Sequence, residues 1–231
     1  MEKAFCIIIC AIVILYLIKQ SCFSNIINKN NINKDIYQID DFKSIEPLNT
    51  QLKLNFNILQ HEVKDLLRNK THTSTKISYG DVYSPEKKNI LESLKNGNGW
   101  SVWGNERKDW FHYPIAYDSK MLTHTKKTIP DLYKIIEPYK NNFHSIYISA
   151  LKPHGSIDPH HDGDHVTETL GKKILTYHFY FDAPPTSIIG VNDKEYKQKT
   201  GEYFIFDNTK IHWVENTSDE WRIGVVGKFY V

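Results

Sequence analysis

A mainly β fold with helices ahead of it is what the sequence predicts, on three observations. From residue 143 onward the chain is a succession of short β-branched and aromatic runs: SIYISAL, KILTYHFYF, TSIIGV, YFIFD, IHWVEN and WRIGVVGKFYV. Such residues fit a pleated, half-buried surface. Turn-forming pairs (Asp-Gly, Pro-Pro, Asn-Asp and Asp-Asn) separate the runs, and strands at this spacing build a barrel or jelly roll. Upstream, apolar residues recur instead at three- and four-residue steps, the period of an amphipathic helix.

In order from the N-terminus, AFCIIICAIVILYLI (4–18) is an unbroken apolar run between Lys3 and Lys19. A core helix would show a polar face, and this run has none. It is slightly short of the roughly 17–25 residues of a spanning helix, and its length also suits a cleaved signal. The expectation is a single-pass membrane anchor over 1–20, with the side of the membrane left open by sparse flanking charge. Residues 21–50 are polar and Asn-rich and read as a linker or stalk. The domain proper is then 51–231, with a helical part over 51–142 and a β core over 143–231. LNFNILQHEVKDLLRNK (54–70), PEKKNILESLKNG (85–97) and TIPDLYKIIEPYK (128–140) are the expected helices. GWSVWGNERKDWFHYPI (99–115) carries three of the five tryptophans. Asn69-Lys70-Thr71 and Asn216-Thr217-Ser218 match the glycosylation sequon, which matters only on the lumenal side of a membrane.

Composition narrows the chemistry. Twenty-nine basic and 27 acidic residues give a net charge of +2, so charge makes no case for a nucleic-acid partner. The three cysteines, Cys6, Cys10 and Cys22, all precede the domain. A disulfide framework, a cysteine zinc site and a cysteine nucleophile are thereby excluded from it. No phosphate-cradling glycine loop or Gly-x-Ser-x-Gly elbow is present.

PHHDG (159–163) concentrates metal-capable side chains. In a strand, residues i and i+2 share a face, so His160 and Asp162 project together and His161 points away. A third ligand from a neighbouring strand would complete two histidines and one carboxylate, the set of non-haem Fe(II) oxygenases. His-x-Asp arises about once by chance in a chain like this one, so the weight lies downstream. His212 sits in a later β pattern. Arg222 follows in an apolar strand among Trp221, Ile223, Val225 and Val226. An arginine there is costly to bury unless paired. A dicarboxylate would pair with it through a bidentate fork; an internal ion pair or an edge position is the alternative.

On these residues, the segment from about 143 to 230 resembles the aspartyl/asparaginyl β-hydroxylase family of 2-oxoglutarate- and Fe(II)-dependent dioxygenases. SALKPHGSIDPHHDG, YHFYF and FIFDNTKIHWVENTSDEWRIGVVGKF carry the resemblance, and WFHYP adds to it weakly. It implies a double-stranded β-helix, a jelly roll of cupin-like type, with flanking helices and in many members an N-terminal anchor. It implies iron at His160 and His212, and 2-oxoglutarate held by Arg222 and Ser149 with His178 near its other end. Dioxygen is the remaining reactant. The animal enzyme that typifies the family has glycine where this chain has Asp162. The expectation here is a full triad of His160, Asp162 and His212, with Asp164 the substitute carboxylate. Thr176 stands where a substrate-side arginine is expected, and GDHVTETLGKK forms a longer loop.

The resemblance implies hydroxylation of Asp or Asn residues in a protein or peptide. A free amino acid or a lipid acyl chain is the alternative substrate, and a non-catalytic cupin-like metal-binding module is the reading from another class. A passive barrel has no need of a buried Arg222, which separates the third reading from the first two. Of the remaining motifs, Lys152-Pro153-His154-Gly155 reads as a turn near the entrance. Trp103, Trp110, Phe111 and His112 read as core, with a substrate wall as the alternative.

Overall fold

The structure is a computed structural model that describes residues 34–69, 72–76, 100–103, 109–162 and 171–231. β1 (Ile36–Tyr37) and a 3-10 turn lead into α1 (Glu46–Leu54) and α2 (Phe56–Arg68). β2 (His72–Lys76), β3 (Trp100–Trp103), β4 (Trp110–Tyr117) and β5 (Lys120–Met121) follow. Two short helices, α3 (Thr125–Thr128) and α4 (Pro130–Ile136), precede the long β segment. That segment holds β6 (Phe143–Leu151), β7 (Ser156–His160), β8 (Ile174–Asp182), β9 (Ser187–Val191), β10 (Lys194–Lys197), β11 (Tyr203–Phe206), β12 (His212–Asn216) and β13 (Arg222–Tyr230).

Two sheets form. The larger runs β1-β11-β8-β13-β6-β4-β3-β2, with β5 on β4; the smaller runs β10-β9-β12-β7. β13 lies antiparallel between β6 and β8. Burial on both faces explains its nearly continuous apolar sequence. One face of the large sheet packs on the helices. Phe56 of α2 meets Phe179 and Phe181, and Asn49 of α1 accepts from the Tyr177 hydroxyl at 3.0 Å. α2 also caps α4: Glu62 accepts the first free N–H groups, those of Asp131 and Leu132, each at 2.9 Å. Those amides have no partner inside the helix, and Pro130 at its first position has none to satisfy. The other face of the large sheet meets the small sheet through Trp110, Leu151, Ile189, Val191, Phe206 and Val214.

The six expected strands are present and form the jelly-roll arrangement. Three expectations change. Residues 36–50 are not stalk: Tyr37, Ile39, Ile45 and Leu48 are buried in the main core, and β1 pairs with β11. Reading them as one segment with the Asn-rich residues 21–33 hid apolar residues spaced for a turn and a helix. The part before 143 is not only helical, because Trp110–Tyr117 is a long strand paired with β6. The helix expected over 128–140 becomes α4 followed by a 3-10 stretch from Glu137, next to Pro138. The helix expected over 85–97 and the anchor over 1–20 lie outside the described residues, as do 21–33 of the stalk. Among the described residues no helix is long and apolar enough to cross a membrane. Of the two sequons, Asn69 is exposed at the end of α2. Asn216 is fully buried, and its amide donates to the carbonyls of Lys152 and Glu220.

Candidate metal centre

The smaller sheet brings the two histidines together. His212 of β12 pairs across the ladder with His160 at the end of β7, with ring centroids 4.2 Å apart. Alternation sends the next residue, Trp213, to the opposite face. There its indole covers Gly190 of β9, where any Cβ would collide with the ring. This contact holds β12 with His212 turned inward. Asp162 follows β7, and its N–H donates to the Asn208 carbonyl at 2.9 Å. Ligand atoms of His160, Asp162 and His212 all lie within 4.8 Å of one another. His161 is exposed and Asp162 buried as expected, although β7 ends at His160 and neither residue is in a strand. Asp164 lies outside the described residues.

Three details show that this donor set suits a divalent ion. His160 Nδ1 bonds the Asp158 carbonyl at 2.7 Å, and His212 Nδ1 bonds the Lys210 carbonyl at 2.9 Å. A carbonyl only accepts, so both rings carry their proton on Nδ1 and leave Nε2 as a lone-pair donor. Asp162 Oδ1 is buried without a hydrogen-bond partner and lies 3.9 Å from His160 Nε2. Its sister Oδ2 is occupied by Lys228 Nζ at 2.8 Å and Asn208 Nδ2 at 3.1 Å. Burial alone would raise the Asp162 carboxyl, but Lys228, His212 and the bond from Asn208 hold it well below the usual carboxylate range. Burial pushes His212 down to about 4, against the pull of Asp162. Asp162 and His212 are thus in their metal-binding protonation states at neutral pH.

A second cluster lines the same cavity from the large sheet. Arg222 is 1% exposed. Its Nε donates to Gln198 Oε1 at 3.1 Å and its Nη1 to Ser149 Oγ at 3.1 Å. Nη2 donates to His178 Nδ1 at 3.2 Å, and the guanidinium lies 5.0 Å from the Tyr180 ring centroid. Every one of these partners is neutral, and among the described residues no carboxylate pairs with Arg222. A buried cation in such company is a site for an anion. Ser149 also accepts from Trp110 Nε1 at 2.8 Å. Both its neighbours can only donate, so its own hydrogen remains for a further acceptor. Because Arg222 only donates, Nδ1 of His178 accepts and the ring proton sits on Nε2. Burial, reinforced by Arg222, keeps that ring neutral by lowering it well below the usual histidine range.

All six residues singled out in the sequence, Ser149, His160, Asp162, His178, His212 and Arg222, therefore line one cavity. Others were missed. Gln198 bridges Arg222, Ser187 Oγ (2.6 Å) and Tyr180 OH (3.1 Å). It lies in a polar stretch with no periodic signal. Lys228 and Asn208 hold Asp162, and a lone polar residue in FIFDN or VVGKF was the only hint of them. Trp110 lines the cavity, Phe111 packs on the opposite face against Trp221, and His112 stacks on Tyr147 at 4.1 Å; the side chain of Trp103 lies outside the described residues. Thr176 also lines the cavity, its hydroxyl buried without a partner. His154 is exposed in a turn, in the left-handed region at φ 54°, and bonds Asp219 at 2.8 Å.

Residues 53–230 match the family model described as aspartyl/asparaginyl beta-hydroxylase. An uncharacterised protein of Acanthamoeba polyphaga mimivirus is 26% identical over 202 residues, covering 86% of this chain and 71% of that protein. Among solved structures, an oxidoreductase of the 2OG-Fe(II) oxygenase family from Burkholderia pseudomallei aligns with a TM-score of 0.43 at 8% identity, over 64% of this chain and 80% of its own. A viral collagen prolyl hydroxylase from Paramecium bursaria chlorella virus aligns at 0.37 and 13% identity, over 53% of this chain and 79% of its own.

Proposed function

Because the chain belongs to the aspartyl/asparaginyl β-hydroxylase family, it is a 2-oxoglutarate- and iron(II)-dependent oxygenase, and we propose that it hydroxylates the β-carbon of aspartate or asparagine residues in a polypeptide. One observation carries the site assignment: a three-atom metal-ligand set and a fully buried, neutrally solvated arginine share one cavity. A passive metal-binding barrel has a use for the first and none for the second.

In this reading His160, Asp162 and His212 hold iron(II), and Arg222 with Ser149 receives the far carboxylate of 2-oxoglutarate. Iron(II), 2-oxoglutarate and dioxygen together supply the oxidising power for an unactivated C–H bond. The chain's part is binding and placement. Arg222 presents a guanidinium fixed by Gln198 and Tyr180, so little orientational freedom is lost when an anion arrives. Ser149 adds a hydroxyl hydrogen directed by two donors that cannot take it. His178 turns its Nε2–H to the cavity as a neutral donor. The walls of Trp110, Tyr147, Phe206 and Val226 exclude water from the reacting centre.

The test is succinate formation from 2-oxoglutarate by the full chain with Fe(II), together with mass spectrometry of Asp- and Asn-containing peptides. The expected product is a peptide that has gained one oxygen at Asp or Asn, with succinate formation lost in Arg222→Ala. Succinate coupled to oxidation of a free amino acid or an acyl chain, and of no peptide, would sink the polypeptide assignment.

A further inference from the structure

The large sheet buries two cations on one strand, Arg222 and Lys228. Arg222 faces neutral groups. Lys228 does not: its Nζ lies 2.8 Å from Oδ2 of Asp162, the carboxylate of the metal-ligand set. Asn208 Nδ2 donates to that same oxygen at 3.1 Å, and the Asn208 carbonyl takes the Asp162 N–H at 2.9 Å. All three residues are buried. The other oxygen, Oδ1, is buried with no hydrogen-bond partner and faces His160. The carboxylate is gripped on one oxygen and open on the other. It cannot turn both oxygens to an ion without giving up an ammonium and an amide donor in a site where water does not replace them.

We propose that Lys228 is a positioning residue of the metal centre, which with Asn208 fixes Asp162 so that Oδ1 alone is offered to a divalent cation held with His160 and His212. The inference rests on the reading of those three residues as ligands and adds a residue which that reading does not contain. Its consequence is a coordination count. A metal ion held by one oxygen of Asp162 and one nitrogen of each histidine would keep one more position for co-substrate and dioxygen than an ion bound through both carboxylate oxygens. Lys228 lies off the cavity wall, behind Asp162, so it acts through the carboxylate and not on the substrate.

The test uses the full chain and Co(II) alone, followed by visible d–d absorption. Wild type is expected to bind. Lys228→Met keeps the stem and removes the charge, and is expected to weaken Co(II) binding by roughly 10- to 100-fold. Lys228→Arg is expected to recover most of that loss. The deciding comparison is Asp162→Ala against Asp162→Ala/Lys228→Met: with nothing left to position, the methionine should have no further effect. Equal weakening in both backgrounds, or none in either, overturns the positioning role while leaving the ligand assignment intact. Absence of Co(II) binding by wild type sinks both. If Lys228→Met does not fold, the binding mode is read on the unaltered protein, from the infrared carboxylate bands of isotope-labelled aspartate after metal loading. A wide separation of the two bands marks one bound oxygen and supports the proposal; a narrow one marks two and overturns it.

Discussion

The two faces of the large sheet are made by the same strands and have opposite chemistries. Toward the helices, β8 presents Leu175, Tyr177, Phe179 and Phe181, and β13 presents Ile223, Val225 and Phe229, all in one apolar core. Toward the smaller sheet the intervening positions are Thr176, His178 and Tyr180 on β8, and Arg222, Val226 and Lys228 on β13. One face meets the cost of ordering the chain through burial of apolar area. The other spends part of that gain on buried charges and hydrogen bonds that do not need to stabilise anything. The difference teaches that stability and function are separable here residue by residue, at a spacing of one position along a strand.

The sharpest way to break that separation is to exchange the faces' roles. Phe179→Ala, on the helix face, is expected to cost about 3–5 kcal/mol of stability. Protein that remains folded should keep its co-substrate KM. Chemical unfolding and succinate kinetics on the same sample measure both. A large KM change would mean that the faces are coupled.

Arg222→Met is the converse. It is expected to weaken 2-oxoglutarate binding by about 2–5 kcal/mol, the cost of leaving a desolvated charge unpaired. Stability should hold or rise, because an isolated buried cation is replaced by an apolar side chain. Calorimetric titration and thermal melting check the two halves. A fall in Tm as large as the loss in binding would contradict the comparison.

Gln198→Leu tests how far the functional face extends beyond the cavity ligands. It strands Arg222 Nε and removes the donor that holds the Tyr180 hydroxyl, and is expected to weaken co-substrate binding by about 1–3 kcal/mol. Unchanged binding would reduce Gln198 to a packing residue.

Acid sensitivity tests the functional face as a whole. The histidines of the functional face, His112, His178 and His212, have folded-state values depressed first by burial. The unfolded chain therefore binds protons first. Stability contributed by the neutral rings is complete above about 6.5 and falls as pH drops below it, at up to about 1.4 kcal/mol per pH unit for each ring. For His212 the loss is complete near its folded-state value of about 4. Unfolding of metal-free protein between pH 7 and 4 should show this slope, reduced in His178→Phe. A flat profile would remove these rings from the stability balance.

What was legible in the sequence divides along the same line. Helix-face strands announce themselves, because β-branched and aromatic residues between turns have few other uses. Arg222 was legible because a cation in an apolar strand contradicts its surroundings. His160 and Asp162 were legible through local alternation. Gln198, Asn208 and Lys228 were not. Their importance lies in which strand they are laid beside, and register is set by pairings far from the residues concerned. β4 was hidden differently: Pro114 interrupts WFHYPIAY and discourages a strand reading, yet the irregularity between Pro114 and Ala116 accommodates it. Residues 36–50 were lost by being grouped with the Asn-rich 21–33, since a few well-placed apolar side chains outweigh the polar character of their neighbours.

The cross-strand pairing of His160 with His212 has a kinetic consequence. The two residues are far apart in sequence and meet only when β7 and β12 have zipped together in register. A slip of one residue would turn Trp213 inward and His212 out. No partly folded chain short of that event offers the three-atom set, so a metal ion held by it would bind the native state and not its precursors. Metal loading should then add stability in proportion to the logarithm of free-ion concentration. It should also slow opening of the smaller sheet, making resistance to proteolysis at β7 and β12 a gauge of how much of the protein in a cell is charged with its ion.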